Sequence, residues 1–433
     1  MTRWFLRLAL LVALTSPARS VVHAEELSDA KRAEIQADAS ALRGLPAISD
    51  VAIKRVSQAE LRAQFLEELN EPETIESLKT TKKYNVLLGL VPPDIDLHDV
   101  LVSTLSGAVI GQYRPADKTM YLVADESATV GPDTKIVVAH EFTHALQDQH
   151  FGLEALTSKT KDHDDRAQAL RALFEGDASI VELLYERERI SGDEAAELRR
   201  QRSQAPETML SAPFILQEEL KFPYVEGLFF NIDLWQRGGF PAIDAAYRDP
   251  PASTEQILHP EKYESREAPV ELGMPDLLPI FGPEWHQTYA NVMGELELRI
   301  LIEQFTDSSM AARAAAGWGG DAFVVLEGPG EHVAWVMDST WDSDEEAREF
   351  SDSFGFALQR RFGTSRVTLQ EEGGKALWST PVGVVGAARS GSHVAIVYAP
   401  DRAQSEAVLA VLSPQSTAPR LPVATPKPVP DSP

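Results

Sequence analysis

The sequence of 433 residues contains no cysteine. This absence excludes disulfide bonds, cysteine nucleophiles and thiolate ligands to zinc. Any metal ion must therefore be held by histidine, aspartate or glutamate side chains. A chain of this length can bury a substantial core without covalent cross-links, and its length suggests two domains.

Basic side chains are few compared with acidic ones. The sequence has 40 lysines and arginines against 66 aspartates and glutamates, which gives a formal net charge of −26. This charge argues against nucleic acid as a partner, because phosphate binding needs clustered lysines and arginines. The simplest explanation of the acidic composition is a charged surface that is exposed to solvent. Beyond the N-terminal segment, no apolar run is long enough for a membrane-spanning helix.

The N-terminal segment has the layout of a secretory signal peptide. Arg3 and Arg7 precede an unbroken apolar run at residues 8–14, and Val22-His23-Ala24 places small residues where a signal peptidase cleaves. We expect a signal peptide over residues 1–24, a mature chain that begins near Glu25, and a secreted or periplasmic location. The alternative is a retained N-terminal anchor, although the apolar run is short for a bilayer.

Hydrophobic periodicity and turn residues predict an α+β protein. Residues 25–265 form a mainly helical domain with a small sheet, which includes a β-hairpin at residues 108–113 and 119–123. Pro223 is predicted to open a new helix. Residues 270–415 form a smaller α/β domain, and the proline-rich residues 416–433 are predicted to be a disordered tail.

The chemistry centres on His140-Glu141-Phe142-Thr143-His144, in a predicted helix that begins near Thr134. Histidines four residues apart lie on one face of a helix, so both imidazoles can bind one zinc ion. Zinc lowers the pKa of a bound water to about 7. Glu141 is placed to take the proton as this water attacks, and then to pass it to the leaving group. A surface helix with two idle histidines is the structural alternative.

A catalytic zinc needs a third protein ligand and one open position. His150 has the metzincin spacing, but that pattern requires glycine at the position of Gln147, where the chain must turn sharply. Glu175 follows His144 by 31 residues and lies in a second long helix, next to Gly176. A glycine inside a helix costs about 1 kcal/mol relative to alanine, and a close helix–helix contact at a metal would explain it. The alternative for Glu175 is a surface ion pair.

The motif followed by Glu175-Gly176-Asp177-Ala178 resembles the gluzincin metallopeptidases. The context of Glu175 is similar to that in zinc aminopeptidases and bacterial collagenases. The string HEFTHALQDQHF, with three further segments that extend over most of the mature chain, resembles a group of uncharacterised bacterial secreted proteins. These segments are Pro223-Tyr224-x-x-Gly227, His259-Pro260-Glu261-Lys262-Tyr263 and Gly317-Trp318-Gly319-Gly320-Asp321.

The gluzincin resemblance implies a zincin-like domain in which His140, His144 and Glu175 bind zinc and Glu141 is the base. Many gluzincins have an aspartate four residues after the third ligand, and this position is Ser179 here. Asp177 or Asp148 could instead orient a ligand imidazole.

The resemblance also implies a stabiliser of the oxyanion, for which Tyr224 is the first candidate and His259 the second. Either residue could instead be structural. A strand edge at residues 107–113 would bind an extended peptide.

The sequence thus predicts a secreted zinc metallopeptidase with a peptide or protein substrate. A metallohydrolase of non-peptide substrates is an alternative. A catalytically silent binding or structural protein with the zincin fold is another, but a purely structural zinc needs no general base such as Glu141.

Overall fold

The N-terminal part of the chain is mainly helical. The computed structural model describes residues 11–14, 28–123, 131–202, 212–363, 368–372 and 375–422. None of the helices in these ranges is long and apolar enough to cross a membrane. The helices of the N-terminal part are α1 (Asp29–Arg43), α2 (Gln58–Leu69), α3 (Pro72–Leu88), α4 (Leu97–Ala108), α5 (Pro132–Phe151), α6 (Leu153–Ser158), α7 (Asp164–Arg189), α8 (Gly192–Arg202), α9 (Phe214–Gly238), α10 (Phe240–Arg248), α11 (Thr254–Leu258) and α12 (Pro260–Glu264).

A small sheet lies beside these helices. Its strands are β1 (Leu11–Leu14), β2 (Ala52–Val56), β3 (Val109–Arg114) and β4 (Thr119–Val123), in the order β1-β3-β4-β2. The predicted β-hairpin is confirmed, because β3 and β4 pair antiparallel with Tyr113 opposite Met120. β1 pairs antiparallel with the other edge of β3. It lies within the predicted signal peptide, of which the remaining residues fall outside the described ranges.

Helix α9 differs from its prediction, because it begins at Phe214 and contains Pro223 instead of starting there. A proline has no N–H to donate to the carbonyl four residues earlier, which belongs to Glu219. In the structure this carbonyl accepts a hydrogen bond from Gln168 Nε2 at 3.3 Å. A side chain from α7 thus replaces the missing backbone bond, and the helix continues through the proline.

The C-terminal part is built on an antiparallel sheet of seven strands, in the order β6-β7-β8-β12-β11-β10-β9. The strands of this part are β5 (Gly273–Pro275), β6 (His286–Asn291), β7 (Trp318–Glu327), β8 (Val333–Trp341), β9 (Thr368–Glu372), β10 (Lys375–Thr380), β11 (Gly383–Ser390), β12 (His393–Ala399) and β13 (Arg420–Pro422). Its α-helices are α13 (Leu278–Phe281), α14 (Gly294–Glu303), α15 (Ser308–Ala315), α16 (Asp344–Phe362) and α17 (Arg402–Leu412). The expected α+β class is confirmed.

The helical part and the sheet part share one hydrophobic core. A single cluster of buried side chains contains residues from both, such as Phe230 and Trp335. Tyr84 of α3 stacks on Tyr289 of β6, with ring centroids 6.0 Å apart. The boundary between residues 265 and 270 therefore separates two kinds of secondary structure that pack against each other.

The prediction of a disordered tail from residue 416 is wrong for residues 420–422. Arg420–Pro422 forms β13, which pairs antiparallel with β5, and Arg420 makes an ion pair with the buried Asp338. A buried carboxylate such as Asp338 needs a cationic partner. The ion pair with Arg420 therefore holds residues 420–422 against the sheet. Residues 423–433 lie outside the described ranges.

The two parts are also joined by a buried polar contact. Asp165, near the start of α7, accepts a hydrogen bond from Thr254 N at 3.0 Å, and Thr254 Oγ1 accepts one from Leu296 N of α14 at 3.2 Å. Burial raises the pKa of Asp165 to about 7, against the lowering effect of the Thr254 hydrogen bonds. The neutral carboxyl is therefore favoured in the folded state below about pH 7.

Asparagine at position 165 should weaken the pH dependence of stability. The folded pKa of Asp165 lies above its unfolded value, so its contribution to stability is complete below about pH 4 and is lost as pH rises to about 7. Between pH 5 and pH 7, we expect the decrease in unfolding free energy to be about 2 kcal/mol smaller in Asp165→Asn than in the wild type. Urea unfolding of metal-free protein measures this without a contribution from metal binding. Equal slopes in the two proteins would contradict the expectation.

Candidate metal centre

The predicted metal-binding helix is α5, and it is buried along the motif. His140, Glu141 and His144 are all inaccessible or nearly so, and the helix continues without a turn to Phe151. Strand β3 packs directly on this helix at Gly111, where a β-carbon would lie 2.5 Å from Val137 Cγ1. The strand and the motif are therefore in close contact.

Three potential ligand atoms converge between α5 and α7. His140 Nε2 lies 3.1 Å from His144 Nε2, and Glu175 Oε2 lies 3.3 Å from the first nitrogen and 3.4 Å from the second. Ligands about 2.0–2.2 Å from a tetrahedral zinc lie about 3.3–3.6 Å apart. The donor set and its spacing therefore fit a zinc ion with three protein ligands. The pair of histidines and Glu175 that the sequence predicts are brought together.

A close contact between two helices brings Glu175 to the histidines. A β-carbon on Gly176 of α7 would lie 2.0 Å from the carbonyl oxygen of Gly227 in α9. In turn, a β-carbon on Gly227 would lie 2.3 Å from the carbonyl oxygen of Ala172. Both positions exclude any side chain, so the backbones of α7 and α9 touch beside Glu175. The sequence predicts a close helix–helix contact as the reason for the glycine inside α7, and this contact is present at Gly176.

The charges at the site favour a bound positive charge. Burial alone would raise the pKa of Glu175, but His144 and the hydrogen bonds from both histidines lower it to about 2. Burial would lower the pKa of His140, yet its hydrogen bonds to Glu175 and Glu182 raise it to about 10. Carboxylates that stabilise a proton here would equally stabilise a metal cation.

Glu141 lies beside the ligand cluster and is not part of it. Its Oε2 accepts a hydrogen bond from the Tyr113 backbone N–H of β3 at 2.6 Å. Burial raises the pKa of Glu141, although His144 and His140 act in the opposite direction. A carboxylate with a raised pKa is a better proton acceptor near neutral pH.

Each histidine of the cluster has a second partner that could not be identified from the sequence motif. His140 Nδ1 lies 3.3 Å from Glu182 Oε2, and His144 Nδ1 lies 2.9 Å from Gln147 Oε1. Glu182 is seven residues after Glu175, which is two helical turns along the same face of α7. The spacing of seven residues could have identified Glu182 as a partner of His140. The search for an aspartate at the position of Ser179 did not consider it.

The suggestion that Asp148 orients a ligand imidazole is wrong, and His150, whose metzincin role the sequence argued against, lies outside the cluster. Asp148 accepts hydrogen bonds from Tyr113 Oη at 2.9 Å and Lys118 Nζ at 2.6 Å, so it supports the hairpin and not an imidazole. His150 Nε2 contacts the carbonyl oxygen of Pro46 at 2.8 Å. Because α5 remains helical through Gln147, His150 is carried past the metal cluster.

The two oxyanion candidates lie in different surroundings. Tyr224 is partly exposed, its ring lies 6.4 Å from that of His140, and its hydroxyl interacts with the Glu175 carboxylate. Burial raises the pKa of Tyr224 well above its usual value, so the hydroxyl keeps its proton. His259 instead contacts Glu295 at 2.9 Å and Glu261 at 3.8 Å. Within the described ranges, none of its contacts is with the three ligand residues.

Comparison with known proteins concerns only the sheet part of the chain. Neither a curated protein nor a solved structure matches the sequence. A family model described as a domain of unknown function, DUF8575, matches residues 284–409, which extend from just before β6 into α17 and exclude the metal cluster.

Proposed function

We propose that this protein is a zinc-dependent hydrolase, and specifically a peptidase that acts outside the cytoplasm. The observation that carries the proposal is the convergence of His140, His144 and Glu175 beside the carboxylate of Glu141. Three protein ligands leave one coordination position open, as in catalytic zinc sites. The proposed location rests on the signal-peptide layout of the N-terminal segment.

His140, His144 and Glu175 would hold the zinc ion. When bound, zinc supplies a Lewis acid that makes water more acidic and polarises a carbonyl group. Glu141 accepts the proton from the attacking water at its carboxylate and returns it to the leaving amine. The Tyr113 N–H fixes one oxygen of Glu141, which keeps the carboxylate oriented while the proton moves.

Tyr224 is the preferred group to stabilise the negative charge that develops on the substrate oxygen. Its hydroxyl retains its proton and lies at Glu175, beside the ring of His140. A donor placed before the reaction begins stabilises an oxyanion without reorganisation. His259, with its partner Glu295, is not assigned this role.

A peptide substrate is favoured by strand β3. Strand β1 pairs antiparallel with one edge of β3, with Leu11 opposite Tyr113. This edge of β3 can therefore form backbone hydrogen bonds with an extended segment. On this strand, the backbone N–H of Tyr113 donates to Glu141 of α5. An extended peptide on this edge would therefore lie next to the proposed base, and backbone hydrogen bonds would supply affinity independent of side chains.

Zinc stoichiometry by elemental analysis tests the proposal. We expect about one zinc per chain in wild-type protein and in His150→Ala, and loss of zinc in Glu175→Ala. Casein and peptide libraries then provide substrates for hydrolysis assays. Zinc without hydrolysis would favour the catalytically silent alternative, and a wild type that holds no zinc under replete conditions would refute the proposal.

Phenylalanine at position 224 should mainly reduce turnover. Tyr224→Phe keeps the ring beside His140 but removes the donor, so we expect kcat to fall about 10²-fold with little change in KM. Zinc content should remain near one per chain. Parallel measurement of kcat and KM checks this, and an unchanged kcat would remove Tyr224 from the mechanism. His259→Ala serves as the control, for which we expect a much smaller effect on kcat.

A further inference from the structure

The contacts of Gln147 fix the orientation of the His144 ring. Gln147 Nε2 donates to the Phe174 carbonyl at 3.0 Å and to Asp177 Oδ2 at 3.0 Å. With both acceptors facing the amide nitrogen, Gln147 Oε1 faces His144 Nδ1 at 2.9 Å. An amide oxygen can only accept, so Nδ1 carries the hydrogen. The lone pair of His144 is then on Nε2, which faces the proposed metal position.

Asp177 is the next member of this chain of contacts. It is fully buried on α7, two residues after Glu175. Its Oδ2 also accepts from Tyr247 Oη at 2.9 Å, and its Oδ1 lies 2.6 Å from Arg43 Nε. A buried carboxylate in this position requires a nearby cation, and Arg43 provides it.

Arg43 comes from a remote part of the sequence. It is the last residue of α1 and is completely inaccessible to solvent. Its Nη2 binds Asp244 at 2.7 Å, and its guanidinium lies over the ring of Phe240 at 4.6 Å. A buried arginine is costly unless its charge is paired, and Arg43 is paired with Asp177 and Asp244 and packed on Phe240. These three contacts hold the Arg43 side chain and the end of α1 in one position.

We infer that Arg43 is a positioning residue for the metal centre, which acts on His144 through Asp177 and Gln147. The inference rests on the proposed zinc site, because it assigns to α1 the support of a zinc ligand. Groups that orient a ligand imidazole raise metal affinity about 10–100-fold. The first helix of the described mature region is accordingly an integral part of the metal centre, and its removal would weaken the site.

The same helix supplies a matched control. Asp38 of α1 pairs with Arg189 of α7 at 2.9 Å, with both side chains partly exposed. This ion pair also joins α1 to α7, but it does not contact Gln147 or Asp177. Arg189→Met therefore removes a link between the same two helices without touching the path to His144.

The test compares zinc affinity by chelator competition and the visible spectrum of cobalt(II)-substituted protein. We expect Arg43→Met and Gln147→Met each to weaken zinc binding about 10–100-fold and to alter the cobalt spectrum. The double variant should be little worse than Gln147→Met alone, because both changes interrupt one path. Arg43→Lys should restore part of the affinity, and Arg189→Met should match the wild type.

Several outcomes would overturn the inference. One is an Arg43→Met protein that unfolds at a lower temperature but keeps wild-type zinc affinity and cobalt spectrum. If Arg43→Met does not fold, wild-type zinc affinity in Gln147→Met would also overturn the inference. This variant interrupts the path to His144 but keeps the Arg43–Asp177 ion pair, so it should still fold. A wild type that binds no zinc refutes the proposed function as well, whereas unchanged affinity in the variants refutes only the role of Arg43.

Discussion

Replacing Glu141 by glutamine should abolish most hydrolysis without releasing the metal. Glu141 is not among the three clustered ligand residues, so zinc content should remain about one per chain. Glutamine has nearly the same shape and can still accept the Tyr113 N–H, but it cannot take up a proton. We therefore expect kcat to fall about 10²–10⁴-fold, the usual contribution of a general base. Elemental analysis and hydrolysis of a peptide substrate on the same preparation measure both quantities.

A matched substitution separates this effect from damage to the fold. Glu154→Gln makes the same chemical change on the exposed face of α6, just after the motif helix, and should leave both zinc content and kcat near wild type. Loss of zinc in Glu141→Gln would mean that this carboxylate holds the metal itself. Full activity would mean that another group moves the proton, and the proposed mechanism would be wrong.

Local patterns in the sequence predicted the parts of the site that lie on single elements. The spacing of His140 and His144 placed both rings on one helix face, and the turn residues between β3 and β4 placed the hairpin. The glycine after Glu175 predicted a close helix contact, which Gly227 provides. These features depend on residues that are near one another in the sequence, or on a glycine that leaves room for a neighbouring backbone. Both can be identified from the sequence alone.

Contacts between distant segments could not be predicted in the same way. Nothing near Gln147 indicates that its amide would find Asp177, or that Arg43 would reach Asp177 from α1. The continuation of α9 through Pro223 depends on Gln168, which lies 55 residues earlier. In each case the deciding partner is brought in by tertiary packing, so local propensity alone gives the wrong or an incomplete answer.

Alanine at position 176 should destabilise the fold, against the usual preference of helices. Gly to Ala inside a helix normally stabilises by about 1 kcal/mol. Here the new β-carbon would lie 2.0 Å from the Gly227 carbonyl oxygen, and a backbone atom in a packed helix cannot move aside as a flexible side chain can. Because α7 and α9 must separate, we expect the unfolding free energy to fall by about 3 kcal/mol or more.

Gly355 of α16 gives the matched control, because its β-carbon would meet only the Trp378 side chain, at 3.2 Å. Gly355→Ala should change the unfolding free energy by no more than about 1 kcal/mol. Urea unfolding of metal-free proteins compares the two variants without a contribution from zinc. Separation of α7 from α9 should also displace the adjacent Glu175, so Gly176→Ala should bind zinc more weakly and Gly355→Ala should not. A Gly176→Ala protein as stable as the wild type would show that the two helices are not held in backbone contact, and the proposed reason for the position of the third ligand would be lost.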